Sequence, residues 1–543
     1  MINPAAVRAF LDRPRANSDK AKRFTDAALD RMLARLNPPP RFVFPPYWHQ
    51  KIAFLLGLKY GSYLFLLDMG LGKTKVVLDL FRYRRRLKQS RRLLVLVPNT
   101  ANIGGWEEEA RVHTPHLTFL GLDERYVGDA RREAILRTDA NIVAVTYHGW
   151  AQLVTSPKRV ERHGEERNKW AIDKKKARDL ERRFDEVVFD ESNTIQNSRS
   201  LYFRMAKRFI KVARFRSCLT GTPFNKDPIA LWGQFYVVDQ GATLGVHLGL
   251  FRQAFFIEKK AYWGGGFKYE FDPRMEEDLY AMLRHRSVRF SEEECLDLPP
   301  KIGGLERPVI RSVVMPRETW DHYQGLVEEL KATRGNYSLM ESAYMRLRML
   351  CSGYLPMKDE DGNRTDVPLP QNPKLDALVA LLREIPSDKK VIVFHWYRAT
   401  GALIAARFVK EKISHVRLFG GTSNKSEAIA RFKTDPKCRI LLASSAGARG
   451  HNLQVAHHMA IFESPDSLDA RKQLEKRIRR PGQEHPTHYY DLQVKSSIDQ
   501  QILASLQAGR RLFDALVDGT EDLGLLGCRV CVAGRSKKQH VAR

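Results

Sequence analysis

A chain of 543 residues is too long to fold around one hydrophobic core, so two to four domains are expected. Its 43% hydrophobic and 28% charged content is the balance of a folded soluble protein, which excludes a largely disordered one. A net charge of +28, with a pI of about 9.8, points to polyanionic partners and to nucleic acid first. An acidic membrane surface is the rival, but no apolar run approaches the ~20 residues of a spanning helix. The opening "MINPAAVRAFLDRPRA" has no signal-peptide apolar core. Six cysteines in this length do not make a disulfide scaffold, so a reducing cytoplasm is expected.

Residues 1–43 contain "RPRANSDKAKRF" and end in "NPPPRF", which reads as a basic extension and a proline linker. The next informative stretch is "YLFLLDMGLGKTKVVLDLFRY". Tyr63 to Leu67 is a short buried-type strand, and the residues from Lys73 onward carry apolar side chains at helical spacing. Gly70 and Gly72 lie between them. Strand, glycine turn and helix is the setting of a phosphate cradle: backbone N–H groups close round phosphate oxygens, and the helix N-terminus favours negative charge. Lys73 then reaches the β/γ-phosphates of ATP, and the Thr74 hydroxyl holds Mg²⁺. The strict pattern also wants glycine where this chain has Leu67, so an ordinary glycine turn is the bland alternative. Such a cradle needs an acidic metal partner at a later strand end. "FDEVVFDESN" offers one, with Val187 to Phe189 as strand, Asp190 as the Mg²⁺ carboxylate and Glu191 as the group that polarises the attacking water. A surface acidic pair is the alternative.

Residues 155–183 are densely charged and rather helical, with acids mixed among the bases, and read as a nucleic-acid contact; a solvated helical excursion is the bland alternative. Between 237 and 370 a helical insertion is expected, since "WDHYQGLVEEL" and "YMRLRMLCSGYL" have helical periodicity. Within it "AYWGGGFKYEF" reads as a hairpin with a glycine turn. "PMKDEDGNRTDVPLPQNP" reads as a flexible link. "RYRRR" at 82–86 reads as a basic surface run. The tail from 516 to 543 is basic, and its lone Cys528–Cys531 pair is weak as a zinc signal.

"DMGLGKT" and "DESN" resemble motifs I and II of superfamily-two helicases, and within that group the Swi/Snf-type ATP-dependent DNA translocases. The resemblance continues in order. "YWHQKIAFLLG" resembles the upstream glutamine motif, which implies that Gln50 contacts adenine. "RLLVLVPNTANIGGWEEEA" resembles motif Ia, and "NIVAVTYHGW" motif Ib. "CLTGTPFNKDPIALWGQF" resembles motif III, with Thr220, Gly221, Thr222 and Pro223 in the T-G-T-P order. "RHRSVRFSEEECLDLPPK" is similar to the family stretch closing on L-P-P-K, and "KVIVFHWYRATGALI" resembles motif IV. "ILLASSAGARGHNLQVAHHMAIFESP" resembles motif V, which implies a nucleotide contact at Gly450. "QLEKRIRRPGQ" resembles motif VI, which implies Arg477 and Arg480 as arginine fingers at the γ-phosphate; three apart on a helix, they share one face. Two departures stand out: Asn193 replaces the usual motif II histidine, and Lys476 replaces an aspartate.

The resemblance covers roughly residues 44–505 and implies an α/β fold of two RecA-like parallel-sheet lobes in tandem. The first lobe is expected at 44–236, the insertion and linker at 237–370, and the second lobe at 371–515. It implies an ATP- and Mg²⁺-dependent motor on double-stranded or branched DNA, acting as a monomer without a membrane and associated with the nucleoid of a bacterial or infected cell. A strand-separating DNA or RNA helicase is the alternative within enzymes. An ATP-binding scaffold without turnover is the alternative of another class.

Overall fold

The computed structural model describes residues 4–162, 165–221, 227–260, 267–358, 364–419, 425–444, 453–480 and 483–517. The chain divides into two compact units, Met1–Asp297 and Leu298–Arg543.

The first unit is built on a seven-stranded sheet whose pairings are all parallel. In chain order its strands are β1 (Tyr63–Leu67), β2 (Leu93–Val97), β3 (Phe119–Leu122), β4 (Ile142–Thr146), β7 (Glu186–Asp190), β8 (Phe215–Leu219) and β11 (Ser287–Phe290). Across the sheet they run β11-β1-β8-β7-β2-β4-β3. Strands β1, β2, β7 and β8 are buried at every position, as expected where helices cover both faces. The period-2 alternation of strands sorts their side chains. Leu64, Leu66, Leu94 and Leu96 join the core on one face, and Tyr63, Phe65, Leu67, Leu93 and Val95 the core on the other.

The basic extension is not a loose arm. It forms helices α1 (Pro4–Leu11) and α2 (Asp26–Ala34), ahead of α3 (Trp48–Tyr60). Phe10 enters one core, and Leu29 and Leu33 the other. Lys51 of α3 pairs with Asp26 at 2.9 Å and Asp30 at 2.6 Å, and the Ser18 N–H donates to the Arg284 carbonyl at 2.9 Å. Its few apolar residues are spaced to reach the sheet, and this matters more than its net charge.

The charged stretch 155–183 also differs from expectation. It is an antiparallel ribbon, β5 (Thr155–Arg162) with β6 (Glu165–Ile172), followed by a short helix Lys174–Glu181. Pro157 removes an amide that a helix interior needs, whereas a two-stranded ribbon has an open side for it.

The expected insertion at 237–370 does not form one helical body. Its first part belongs to the first unit. The hairpin β9 (Phe256–Lys260) and β10 (Phe267–Phe271) pairs as expected, with its glycine turn outside the described residues, and β11 then caps the sheet edge beside β1. Its second part belongs to the second unit. There β12 (Lys301–Ile302) and β13 (Val309–Val313) pair with a strand of the second sheet, and helices Arg317–Ala332 and Tyr337–Cys351 bury Tyr323, Tyr344 and Leu347. The presumed flexible link is another antiparallel pair, β14 (Tyr354–Lys358) and β15 (Arg364–Pro368). Alternating residues such as Tyr354, Leu355 and Val367 outweigh its Pro and Asp content.

The second sheet adds β16 (Val391–His395), β17 (His415–Leu418), β18 (Ile440–Ser444), β19 (His458–Ile461) and β20 (Thr487–Val494). Its order is β12-β20-β19-β16-β18-β17, with β13 also on β20, and every pairing is parallel. The expected pair of parallel α/β lobes is therefore observed.

Candidate active site

The glycine turn after β1 leads into α4 (Lys73–Arg86). Gly70 has φ +87° and Gly72 has φ +75°, so both lie in the left-handed region that glycine occupies at no steric cost. At Gly72 space adds a second constraint: a Cβ there would come within 2.4 Å of Gln50 Nε2. Gln50 is buried behind the turn. Its Oε1 accepts from the Tyr47 amide at 3.1 Å, and its Nε2 donates to the Leu71 carbonyl at 3.2 Å. His49 adds a ring nitrogen 3.0 Å from the same carbonyl, and burial pushes its pKa down, which favours a neutral ring donating through Nε2. Gln50 thus braces the cradle from behind. The Lys73 ammonium donates to the carbonyls of Leu67, at 2.7 Å, and Asp68, at 3.3 Å. Thr74 follows it in the first turn of α4.

The strand order places β8 between β1 and β7, so the cradle and the acidic pair leave the same carboxyl edge of the sheet, one strand apart. Asp190 ends β7 and is largely buried. Burial raises its pKa, opposed by the Trp106 hydrogen bond and the charge of Lys73. Trp106 Nε1 donates to Asp190 Oδ2 at 2.9 Å, and the Glu191 amide donates to Oδ1 at 3.1 Å. The Tyr147 hydroxyl holds the Asp190 carbonyl at 2.9 Å. Among the described residues no cation lies within ion-pair distance of this carboxylate. Glu191 itself has φ +46°, a left-handed conformation rare for a side-chain-bearing residue and the kind of strain that gathers at functional sites. Its Oε2 accepts from Thr220 Oγ1 at 3.4 Å.

Thr220 and Gly221 of the T-G-T-P stretch extend β8 into this edge, and a Cβ on Gly221 would lie 3.4 Å from the Leu67 carbonyl. Thr222 and Pro223 lie outside the described residues, as does Gly450. Asn193 follows in a short 3-10 turn, half-buried; beside it Ser192 Oγ donates to the buried Gln234 at 2.7 Å. Sequence reasoning gave no role to Trp106, Tyr147 or Gln234. Trp106 stood in the quoted motif Ia, but only the fold shows its indole reaching Asp190.

Arg477 and Arg480 do not share a helix face. The helix Leu468–Glu475 ends before them, and both sit in the turn that follows. The Arg477 amide donates to Leu474 O at 3.1 Å, and its side chain is largely buried. Arg480 Nε donates to Lys476 O at 2.9 Å, and the Gln483 amide closes onto the Arg480 carbonyl at 3.0 Å. The nearby Arg471 was passed over. It is fully buried, makes paired bonds of 2.6 and 2.7 Å to Asp491, and bonds Glu475 at 2.7 Å.

The glycine turn, Lys73 and the Asp190–Glu191 pair therefore meet at one sheet edge of the first unit. Compared with known families, residues 47–349 match the SNF2-related domain, and residues 373–482 match the helicase conserved C-terminal domain. The first match alone spans more than half of the chain. The chain belongs to the SNF2-related family. This family of ATP-hydrolysing helicases is the one that the motif order resembled. A Bacillus subtilis protein named as an uncharacterized ATP-dependent helicase is 24% identical over 63% of this chain and 61% of its own length. A second B. subtilis relative, a putative ATP-dependent helicase/translocase, is 21% identical over 89% of this chain and 50% of its own. This chain thus spans between half and two thirds of these two relatives. A putative protein of Acyrthosiphon pisum secondary endosymbiont phage 1 is 24% identical over 87% of this chain and 97% of its own length. Among solved structures, a Sulfolobus solfataricus SWI2/SNF2 ATPase core in complex with dsDNA aligns with 22% identity, covering 88% of this chain and 95% of that one, at a TM-score of 0.37. No helix among the described residues is long and apolar enough to cross a membrane.

Proposed function

We propose that this SNF2-related chain is a DNA-stimulated ATPase that moves along double-stranded or branched DNA and displaces or remodels what is bound there. The observation that carries the reading is the convergence of the Gly70–Gly72 turn, Lys73, Asp190 and Glu191 on one edge of one parallel sheet. The residues fit Mg²⁺-ATP. The turn places two left-handed glycines before a helix N-terminus. A carboxylate left with neutral hydrogen-bond donors in a buried site suits a divalent cation. Thr74 and Asp190 would hold the metal, which when bound neutralises phosphate charge.

The chain's own groups then have separate tasks. Lys73 exchanges its two carbonyl partners for phosphate oxygens. Glu191 takes the proton of the attacking water, and the Thr220 hydroxyl on its Oε2 orients it. In this reading Gln50 serves the nucleotide indirectly, by fixing the Gly72 turn, as well as through any adenine contact. Arg477 and Arg480 are proposed as the cations of turnover that the motif VI resemblance implies. The excess of positive charge makes phosphate contact the main source of DNA affinity, with little sequence preference.

ATP turnover measured with duplex DNA, forked DNA, single-stranded DNA and RNA tests the reading. Duplex or forked DNA should stimulate most, Lys73→Ala should abolish turnover, and Glu191→Gln should lower it by at least ~10²-fold while ATP still binds. Stimulation by RNA alone would replace the duplex motor by an RNA helicase, and near-normal turnover in Glu191→Gln would remove Glu191 from the chemistry.

A further inference from the structure

The second turn of interest on α4 lies at its other end. Within "RYRRR", Arg84 is fully buried: it pairs with Glu186 at the start of β7 and donates to the carbonyls of Gly57, at 2.8 Å, and Gly61, at 3.0 Å. These partners place the last turn of α4 at the amino edge of the sheet, opposite the phosphate cradle. A helix of 14 residues separates the two ends by about 20 Å. The remaining arginines of the run line a recess of about 570 Å³ at that edge.

Three chain segments wall this recess. Arg82, Arg85 and Arg86 come from α4, spaced three and four apart and so on one helix face. Arg41 comes from the proline segment before α3, and His116 from the loop after α5 (Thr100–His113). Phe42 and Tyr83 supply an apolar floor. Among the described residues the only carboxylate lining it, Asp79, is already bonded to Lys75 at 2.6 Å, and both groups are buried. Among the described residues, none of the four lining arginines has a carboxylate partner.

A helix C-terminus favours basic residues by itself, because its carbonyls are unsatisfied. That does not account for these side chains. Arg82 donates to the His113 carbonyl at 3.3 Å, Arg85 to that of Arg91 at 2.7 Å, and Arg86 to that of Pro39 at 2.8 Å. Each guanidinium is tethered to a different neighbouring segment by one nitrogen, although it carries five N–H donors. His116 lies beside two of them: burial lowers its pKa, and the nearby Arg82 and Arg85 lower it further.

We propose that this recess is a second phosphate-binding site, distinct from the ATP cradle, which takes a compact polyphosphate anion, inorganic or nucleoside-linked. Preset guanidiniums bind phosphate through paired hydrogen bonds, and the volume lies within the range of small-ligand pockets. A duplex presents its phosphates on a convex cylinder, which suits an open groove; a recess walled by three segments suits a small anion.

The test uses the full chain carrying Lys73→Ala, to remove the cradle, titrated calorimetrically with sodium tripolyphosphate and, in a parallel arm, with ADP. One site should remain. Adding Arg82→Gln and Arg86→Gln should weaken it by ~10-fold or more, the value of losing a charge-assisted bond. Arg41→Gln alters an exposed residue, so a weakening in that variant cannot come from unfolding. Binding of both probes assigns a nucleoside-linked ligand, and of tripolyphosphate alone an inorganic one. Duplex DNA affinity should stay within about twofold, since less than one charge-assisted contact is at stake. The proposal is overturned if Lys73→Ala alone abolishes tripolyphosphate binding, or if the arginine variants bind it unchanged. It is also overturned if their duplex affinity falls in parallel, which would make the recess a DNA-backbone contact.

Discussion

Both units bury carboxylates beside a parallel sheet, but they satisfy them differently. In the second unit Asp491 and Glu475 are locked by the guanidinium of Arg471, and Asp466 accepts from Arg511 at 3.0 Å. The field of these carboxylates holds the Arg471 pKa well above its ordinary value despite burial. In the first unit Asp190 is also buried but is met by an indole N–H and an amide N–H in place of a guanidinium. A carboxylate closed by arginine is architecture. A carboxylate left with neutral donors is electrostatically incomplete, and a cation completes it. The first unit contains both kinds, since Glu186 at the amino end of β7 is closed by Arg84 while Asp190 at the carboxyl end of the same strand is not.

The strongest way to break this comparison is to neutralise one carboxylate of each kind. Asp491→Asn or Arg471→Met leaves buried charge without its partner and should cost ~3–5 kcal/mol in denaturant unfolding. Arg84→Met should do the same through Glu186. Asp190→Asn should leave stability almost unchanged or higher, while abolishing turnover. Equal destabilisation by Asp190→Asn and Asp491→Asn would erase the distinction.

A smaller effect sharpens it. Trp106→Phe removes one donor to Asp190 and keeps most of the apolar volume. A hydrogen bond to a charged group is worth ~1.5–3 kcal/mol, so turnover should fall by roughly 10-fold or more as Asp190 loses its orientation. Rescue by raised Mg²⁺ would place the defect at the carboxylate. A loss of folding stability with unaltered turnover per folded molecule would make Trp106 a core residue only.

The smallest effect concerns pH. His458 in the second unit stacks on His488 at 4.7 Å, and burial with the neighbouring His488 and His457 lowers its pKa to about 4. In the first unit burial and nearby arginines lower that of His285 to about 4 as well. Unfolded histidine titrates near ~6.5. Between these values the unfolded chain takes up protons that the folded chain refuses, so stability present above about pH 6.5 declines as the pH falls toward 4. Urea midpoints at neutral and mildly acidic pH should show this loss, and His458→Asn should reduce it. An acid loss unchanged in His458→Asn would shift the cause to the first unit.

Much of the site was legible in the residues. The cradle, β1, α4 and the β7 carboxylates follow from local patterns: a buried strand, two glycines and a helix start are consecutive in sequence. The same holds for the helices at 317–332 and 337–351, whose periodicity is internal to each segment. Other readings turned on partners far away in the chain. The N-terminal residues read as a basic extension and linker until Phe10, Leu29 and Leu33 found the sheet. Segments 155–172 and 354–368 looked helical or flexible because strand pairing depends on a second strand, which local charge does not reveal.

By itself, then, the sequence determined where the glycine turn and the acidic pair stand, the two parallel lobes and the family, because each is carried by contiguous motifs whose physics is local. Only the tertiary structure decided which charges are architecture and which are function. Arg84 and Arg82 are two residues apart in one basic run, yet one is sealed against Glu186 and the other lines an open recess. Helical geometry turns residues two apart about 200° from each other, so Arg84 meets Glu186, 102 residues on, while Arg82 meets the His113 carbonyl, 31 residues on.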